Sequence, residues 1–222
     1  MFNFEFAFSI LPKLATAAWV TLIVTMVSFF LALLIGIPLA LMRRAKWPAM
    51  SRGTGAVVDF IRCTPILVQL FFLYFALPGF GIRLSPITTG LIAFSVHYGC
   101  YMSEIYRAGL EGVARGQWDA CVALSIPRLE TYRSIILPQA VQPVIPAAGN
   151  YLVHMFKETP LLASISVVEM MFVSAEIGAD TFRYLEPITI CGLLFLVMSL
   201  GAAALIRLTE RLYGRHWRRA WK

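Results

Sequence analysis

Five stretches of this 222-residue chain contain no Asp, Glu, Lys or Arg: Leu14 to Met42, Cys63 to Ile82, Leu84 to Ser103, Ser134 to Phe156 and Pro187 to Ile206. A helix of about 20 apolar residues crosses the hydrocarbon core of a bilayer, and each stretch reaches that length. A soluble protein would have to bury five such helices beneath polar surface. Only 14% of the residues are charged, against about 25% in an ordinary soluble domain. The chain therefore reads as one all-α membrane domain, residues 1–222, with about five transmembrane helices.

The formal charge of +7 is explained by its distribution. With the N-terminus outside and five spans, 15 of the 19 Lys and Arg fall on the inner side, and Lys13, Arg83, Lys157 and Arg183 on the outer. Basic residues concentrate in cytoplasmic loops, so the C-terminus is expected inside. The basic tail, with Arg215, Arg218, Arg219 and Lys222, is expected to meet anionic membrane lipid and not nucleic acid. No cleavable leader is expected, because the start lacks a basic region and the first apolar block is too long. Phe2, Phe4, Phe6 and Phe8 form either an aromatic anchor at the headgroups or a loose apolar tail. The cysteines, Cys63, Cys100, Cys121 and Cys191, lack metal-ligand spacing and read as small hydrophobes.

The first block is followed by an expected loop to about Arg62. Span two runs from Pro65 to Pro78 and is broken outside by Pro78-Gly79-Phe80-Gly81. Span three runs from Pro86 to Arg107, span four from Pro138 to Phe156, span five from Pro187 to Ile206. Two segments are unusual. Ala108 to Leu137 is too polar for lipid yet carries Leu129, Tyr132 and Ile136 at helical spacing on one face. Pro127 is expected to divide it into two short helices. Ala120, Cys121, Ala123 and Ser125 keep its surface shallow, so another surface can approach. On the other side, Lys157, Glu158, Thr159 and Pro160 interrupt an apolar run. A broken helix with exposed backbone groups is expected there, a feature transporters use at solute sites.

The same two segments carry a family resemblance. Asp119-Ala120-Cys121, then Ser125, then Ile135-Ile136-Leu137-Pro138 match without a gap the coupling motif of ABC importer permeases (Glu-Ala-Ala, Gly, Ile-x-Leu-Pro). Asp replaces Glu, Cys replaces Ala and Ser replaces Gly. Arg62-Cys63-Thr64-Pro65-Ile66-Leu67-Val68-Gln69, Tyr101 to Gly109, Gly116-Gln117-Trp118 and Lys157 to Leu162 resemble the polar amino-acid branch, which takes up histidine, glutamate, glutamine, arginine and opines. The likeness covers about residues 14–210, with the coupling segment at 117–138. Within the branch the chain looks most like the ectoine and hydroxyectoine permeases. It departs at His97, where Asn is common, and at Pro160, where Ser is common.

The resemblance implies a type I ABC importer permease in a bacterial cytoplasmic membrane. The chain would be a half-pore pairing with a second homologous permease, as a homo- or heterodimer. Two ATPase subunits would dock inside on Asp119, Ala120, Cys121, Ser125, Ile135, Leu137 and Pro138. An extracytoplasmic binding protein would deliver solute. No Walker A loop is present, so ATP and Mg belong to the partner, and the chain is expected to be no enzyme and to hold no cofactor. His97, Tyr101, Glu158 and Thr159 are the candidate solute path, with Glu158 drawing the cationic part of a zwitterion and Lys157 neutralising it between cycles. His97 either meets solute or makes an interhelix hydrogen bond. Glu104 with Arg107, and Asp59 with Arg62, read as structural ion pairs. No Ser-His-Asp set, carboxylate pair or metal cluster stands out. The alternatives are a membrane-embedded enzyme and a structural anchor. The enzyme needs convergent polar groups, yet His97, His154 and His216 fall at three depths. The anchor leaves the patterned polar segment unexplained.

The topology is open to a direct test. Reporter fusions should give an outer signal at Arg83 and Arg183 and an inner signal at Arg52 and Arg128. A cytoplasmic signal at Arg83 would overturn the scheme.

Overall fold

A computed structural model describes the backbone of residues 2–220 and the side chains of residues 2–211. The side chains of Arg215, His216, Arg218, Arg219 and Lys222, invoked above, lie outside the described residues. Every regular element among the described residues is helical. The five charge-free blocks fall in five different helical segments.

The first helix, α1 (Phe4–Arg43), has 40 residues. It starts earlier than the apolar block because Asn3 caps it, its side-chain oxygen accepting from the Phe6 N–H at 3.1 Å. The aromatic N-terminus is thus the first turns of a helix and not a loose tail. Ala7 and Ile10 pack inward while Phe4 and Phe8 face out.

The expected loop before Arg62 is instead a second helix, α2 (Pro48–Cys63), opened by Pro48 in its first turn. Its three charged residues hide an amphipathic pattern in which Thr54, Gly55 and Val58 are buried. Pro65 then holds Thr64 in extended backbone. The chain turns by 100° into the helical run Ile66–Phe80. That run begins as α3 (Ile66–Phe71), loosens into a π turn over Phe72–Ala76, tightens to a 3-10 turn over Leu77–Phe80, and ends at Gly81 with φ +83°.

The fourth helix, α4 (Pro86–Glu111), starts on a Ser85 cap. Length and apolarity alone qualify α1 and the described part of the last helix as spans, and each of two bent pairs adds one more. Among the segments holding the five blocks, α4 is the one left out, because its charge-free part also carries polar residues such as Thr88, Thr89, Ser95 and His97. Twelve of its residues are buried, and it packs against both α1 and α7. A helix shielded by protein tolerates polar groups that lipid would not.

The polar segment then forms α5 (Arg115–Ala123) and a tight turn. The expected second short helix does not stand alone. The three-residue α6 (Arg128–Glu130) runs through a π turn at Thr131–Ile136 into α7 (Leu137–Glu158), and a 3-10 turn continues it over Thr159–Ile165. Leu129 and Tyr132 are exposed and Ile136 is buried, so the three share no packed face. The helix gives way to 3-10 geometry at Thr159, but the chain bends away only at Ser166, whose φ is +65°. Glu169 caps α8 (Met170–Thr181), bent 51° from the preceding run. The last helix is α9 (Leu185–Ala220).

The main core joins α1, α3, α4 and α7 through Val24, Leu70, Phe94, Met102, Met155 and Leu162. Lipid tails are as apolar as these side chains, so helices associate in a membrane by close packing at small residues. Gly109 is the tightest case involving backbone. A Cβ there would sit 2.7 Å from the Ala140 carbonyl oxygen and 2.6 Å from Val144 Cγ2. Valine has better helix propensity than glycine, so any loss in Gly109→Val reports the crossing. Overpacking of this kind costs about 1–3 kcal/mol, and the thermal midpoint in detergent should fall. Gly116→Val, where a Cβ meets nothing within 4 Å, should not lower it. Equal midpoints for the two variants would mean α4 and α7 are not held in this contact.

Candidate functional site: a polar path along α4 and an exposed helical hairpin

The helix α4 presents His97, Tyr98, Tyr101 and Glu104 along its length at steps of one, three and three residues. Each meets a group from another element. His97 is buried, and its Nδ1 lies 3.1 Å from the Gln69 amide nitrogen, which also donates to the Ile61 and Thr64 carbonyls at 2.8 and 3.0 Å. An amide nitrogen carries two hydrogens and offers only donors, so it serves two of these three acceptors at a time, and His97 only when Nδ1 is unprotonated. The Tyr98 hydroxyl donates to Glu158 Oε2 at 2.5 Å. The Tyr101 hydroxyl donates to the Arg62 carbonyl at 3.1 Å, and the Arg62 guanidinium sits 5.0 Å over the same ring. Tyr151 from α7 packs beside both rings, 5.0 Å from Tyr101 and 6.1 Å from Tyr98. A string of aromatic groups thus runs from Glu158 to Arg62.

Arg62 hands on to a charged network. Glu104, 17% exposed, has Arg107 at 2.9 Å, Arg43 at 2.6 Å and Arg62 at 4.0 Å. The Arg43 contact is ionic, its angle falling short of a hydrogen bond. Asp59 lies 3.6 Å from Arg43 and 3.7 Å from Arg62, and Glu111 2.6 Å from Arg107. The two ion pairs expected from sequence both exist, fused into one network by Arg43, the first charged residue after a charge-free block. A half-buried carboxylate without such partners would be strongly destabilising.

The four-residue solute pocket expected from sequence does not form as such. Thr159 is fully buried, donating to the Met155 carbonyl at 2.8 Å with Thr25 Oγ1 at 2.9 Å. It ties the end of α7 to α1 and, being fully buried, lines no opening. His97 is likewise enclosed, whereas Tyr101 and Glu158 are partly open. Lys157 is exposed and forms no ion pair among the described residues; the partner of Glu158 is Tyr98. Tyr98 was absent from the sequence expectation. Its signal was there to be read, since a tyrosine hydroxyl inside an apolar block needs a polar partner.

At the far end of α4 from Glu158, α5 and the start of the α6–α7 run form a hairpin. Ile126 N–H donates to the Cys121 carbonyl and Ser125 N–H to the Val122 carbonyl, both at 3.0 Å. Two such bonds with a left-handed residue make a Schellman helix end, and Ser125 supplies that residue with φ +53°. Glycine at this position of the family motif is thereby explained by backbone handedness. The hairpin is braced on α7 by Trp118 against Tyr132, ring centroids 5.4 Å apart, and by Gln139 donating to Gln117 at 3.3 Å. Ile136 packs with Val113 and Ala140 beneath it. Asp119, Ala120 and Ser125 are exposed, as is Leu137, while Ile135 and Pro138 are half-buried. Cys121 points inward, buried. It therefore shapes the hairpin and is not part of its presented face. Val122, Leu124 and Leu129 form the apolar tip, at 79, 74 and 78% exposure.

This layout has counterparts. Residues 32–215 match the family described as binding-protein-dependent transport system inner membrane component. The chain belongs to that family. It is the permease subunit of an ABC importer. A probable amino-acid ABC transporter permease of Sinorhizobium fredii is 40% identical over 92% of this chain and 89% of its own length. An arginine transport system permease of Bacillus subtilis is 31% identical over 94% and 97%. A crystal structure of an amino acid ABC transporter with histidines superposes with TM-score 0.90 at 30% identity, covering 95% of this permease and 99% of that chain. A methionine ABC transporter in an inward-facing form shares the fold, with TM-score 0.77 at 18% identity over 92% and 98%.

The Tyr98–Glu158 bond links α4 to α7 and should be measurable. A hydrogen bond to a charged group is worth about 1.5–3 kcal/mol. Tyr98→Phe and Glu158→Gln should each lower the thermal midpoint, and the double variant should fall no further than the worse single. Additive losses would mean the two groups do not interact.

Proposed function

We propose that this permease forms one half of the passage for a polar amino acid or an amino-acid-like zwitterion, ectoine included, and that an ATPase subunit grips its hairpin from the cytoplasm. The observation that carries the reading is the hairpin's tip. Three large apolar side chains stand in water on a braced, rigid turn, within the segment that matches the coupling motif. Exposed apolar patches of this kind mark interaction sites, and the helical hairpin suits docking into a groove. The tip lies on the side to which basic residues are biased, which supports a cytoplasmic ATPase supplying ATP and Mg, with the N-terminus outside and the C-terminus inside. A second permease chain completes the pore and an extracytoplasmic binding protein delivers the solute. Hydrolysis belongs to the ATPase, and this chain acts as a conduit.

The solute class follows from Glu158 and from the relatives, whose names include glutamine and L-cystine transport. Glu158 stands at the end of α7 remote from the hairpin. Its carboxylate meets the cationic part of an arriving zwitterion, exchanging the Tyr98 hydroxyl for the solute. Tyr101 and Tyr151 offer faces and hydroxyls further in.

Two substitutions test the reading in reconstituted vesicles with the ATPase and binding protein. Asp119→Lys reverses charge at the docking face, where a misplaced charge costs about 2–5 kcal/mol. Uptake and ATPase co-purification should fall at least tenfold. Glu158→Gln should leave co-purification intact and raise the KM for uptake. Normal uptake in Asp119→Lys would remove the hairpin from coupling, and unchanged kinetics in Glu158→Gln would remove that carboxylate from the path.

A further inference from the structure

An open cavity of about 770 Å³ lies where the end of α1, the first half of α2 and the end of α4 meet. Its size falls within the range of about 300–1,000 Å³ typical of ligand sites. Arg43, Arg44, Arg52 and Arg107 line it against two carboxylates, Asp59 and Glu111, an excess of two positive charges. The excess can be assigned to particular groups. Arg43 and Arg107 are taken up by Glu104, Asp59 and Glu111. Arg44 and Arg52 are exposed and form no ion pair among the described residues. The wall carrying them is prebuilt, because the Ser51 hydroxyl donates to the Arg43 carbonyl at 2.6 Å and holds the start of α2 against the end of α1.

The surroundings say where such an anion comes from. Trp47, in the turn between α1 and α2, is 68% exposed. Val57 and Phe60 are exposed on α2 three residues apart. The 100° bend after Cys63 sets α2 across the direction of the helix that follows it. A helix lying across the span direction, with exposed Trp and Phe beside arginines, has the make-up of a membrane-surface helix.

We infer that this cavity binds the phosphate headgroup of an anionic phospholipid, held between Arg44 and Arg52. The phosphodiester supplies the negative charge that the chain's own carboxylates leave unmatched. The acyl chains continue into the bilayer beside Val57 and Phe60. Basic pockets between helices at the membrane surface bind anionic headgroups by this combination of charge and depth. The bound lipid would fasten the α1–α2 turn, and through Arg43 the network around Glu104, to the membrane surface. The inference does not depend on the identity of the solute, and its test takes the ATPase partner from the proposed function.

The test uses the full chain co-purified with its ATPase in detergent, titrated with short-chain phosphatidylglycerol while thermal stability is read. Phosphatidylglycerol should raise the midpoint and phosphatidylcholine should not. The double variant Arg44→Gln with Arg52→Gln should keep its lipid-free midpoint and weaken the phosphatidylglycerol response at least about tenfold in concentration, from two lost surface charges. Arg44→Lys with Arg52→Lys should keep the response. An undiminished response in the glutamine variant overturns the site. Equal protection by inorganic phosphate at matched ionic strength also overturns it, since the cavity would then take a free anion. So does a response seen only after the ATPase is stripped away, which would give this surface to the ATPase.

Discussion

Glu104 sets a constraint that much of the bundle answers. A carboxylate that is mostly withdrawn from water near the end of a membrane helix is tolerated only with cations and donors close by. Three arginines meet that demand, one from α1, one from α2 and one from its own helix. The arrangement draws the end of α1 and the whole of α2 against α4. It also explains why α2 folds back as a packed helix in a stretch whose charges otherwise suggest a loop. The bend at Thr64-Pro65 follows, since the chain must leave this knot to begin the next run.

The same logic orders the upper part of α4. Three polar side chains there are paired one by one across helix boundaries: His97 with Gln69, Tyr98 with Glu158, Tyr101 with the Arg62 backbone. In hydrocarbon no water can substitute for a missing partner. These bonds therefore fix the rotation of α4 about its axis as well as its position. Packing at Gly36, Gly99 and Gly109, each with neighbouring atoms closer than 3 Å to where a Cβ would stand, fixes how near its neighbours come. Rotation is set by polar pairing and separation by the absence of side chains.

The five helical blocks were legible in the sequence because absence of charge over about 20 residues has one main physical meaning. Their ends were less so. Asn3 extends α1 through a cap that hydropathy does not register, and α2 was hidden because its apolar face is short and interleaved with Arg52, Asp59 and Arg62. Pro127 did mark a helix start, but nothing local indicates that the helix it opens merges with the next span through a π turn. Of the path residues, Glu158 and Tyr101 stand in a connected polar arrangement, whereas Thr159 proved internal. A threonine can satisfy its hydroxyl on its own preceding turn, so its presence beside charges says little about exposure. The hairpin's motif was readable as spacing. That Cys121 faces inward, and that Ser125 takes a left-handed backbone, depend on how the turn closes in three dimensions.

The uninterrupted run from Arg128 to Ile165 has a mechanical consequence. At about 1.5 Å per residue it is a rod nearly 60 Å long, with the hairpin clamped to one tip and Glu158 near the other. Its middle passes Gly109, where backbone lies against backbone and offers a fulcrum. Pivoted at Ala140, the arm that runs on to Ile165 is roughly 38 Å long, so each degree of tilt moves its end by about 0.7 Å. The π turn at Thr131–Ile136 sits between the handle and the fulcrum, where a looser winding gives the short arm a compliant joint, and Pro143 and Pro146 interrupt the hydrogen bonding of the long arm.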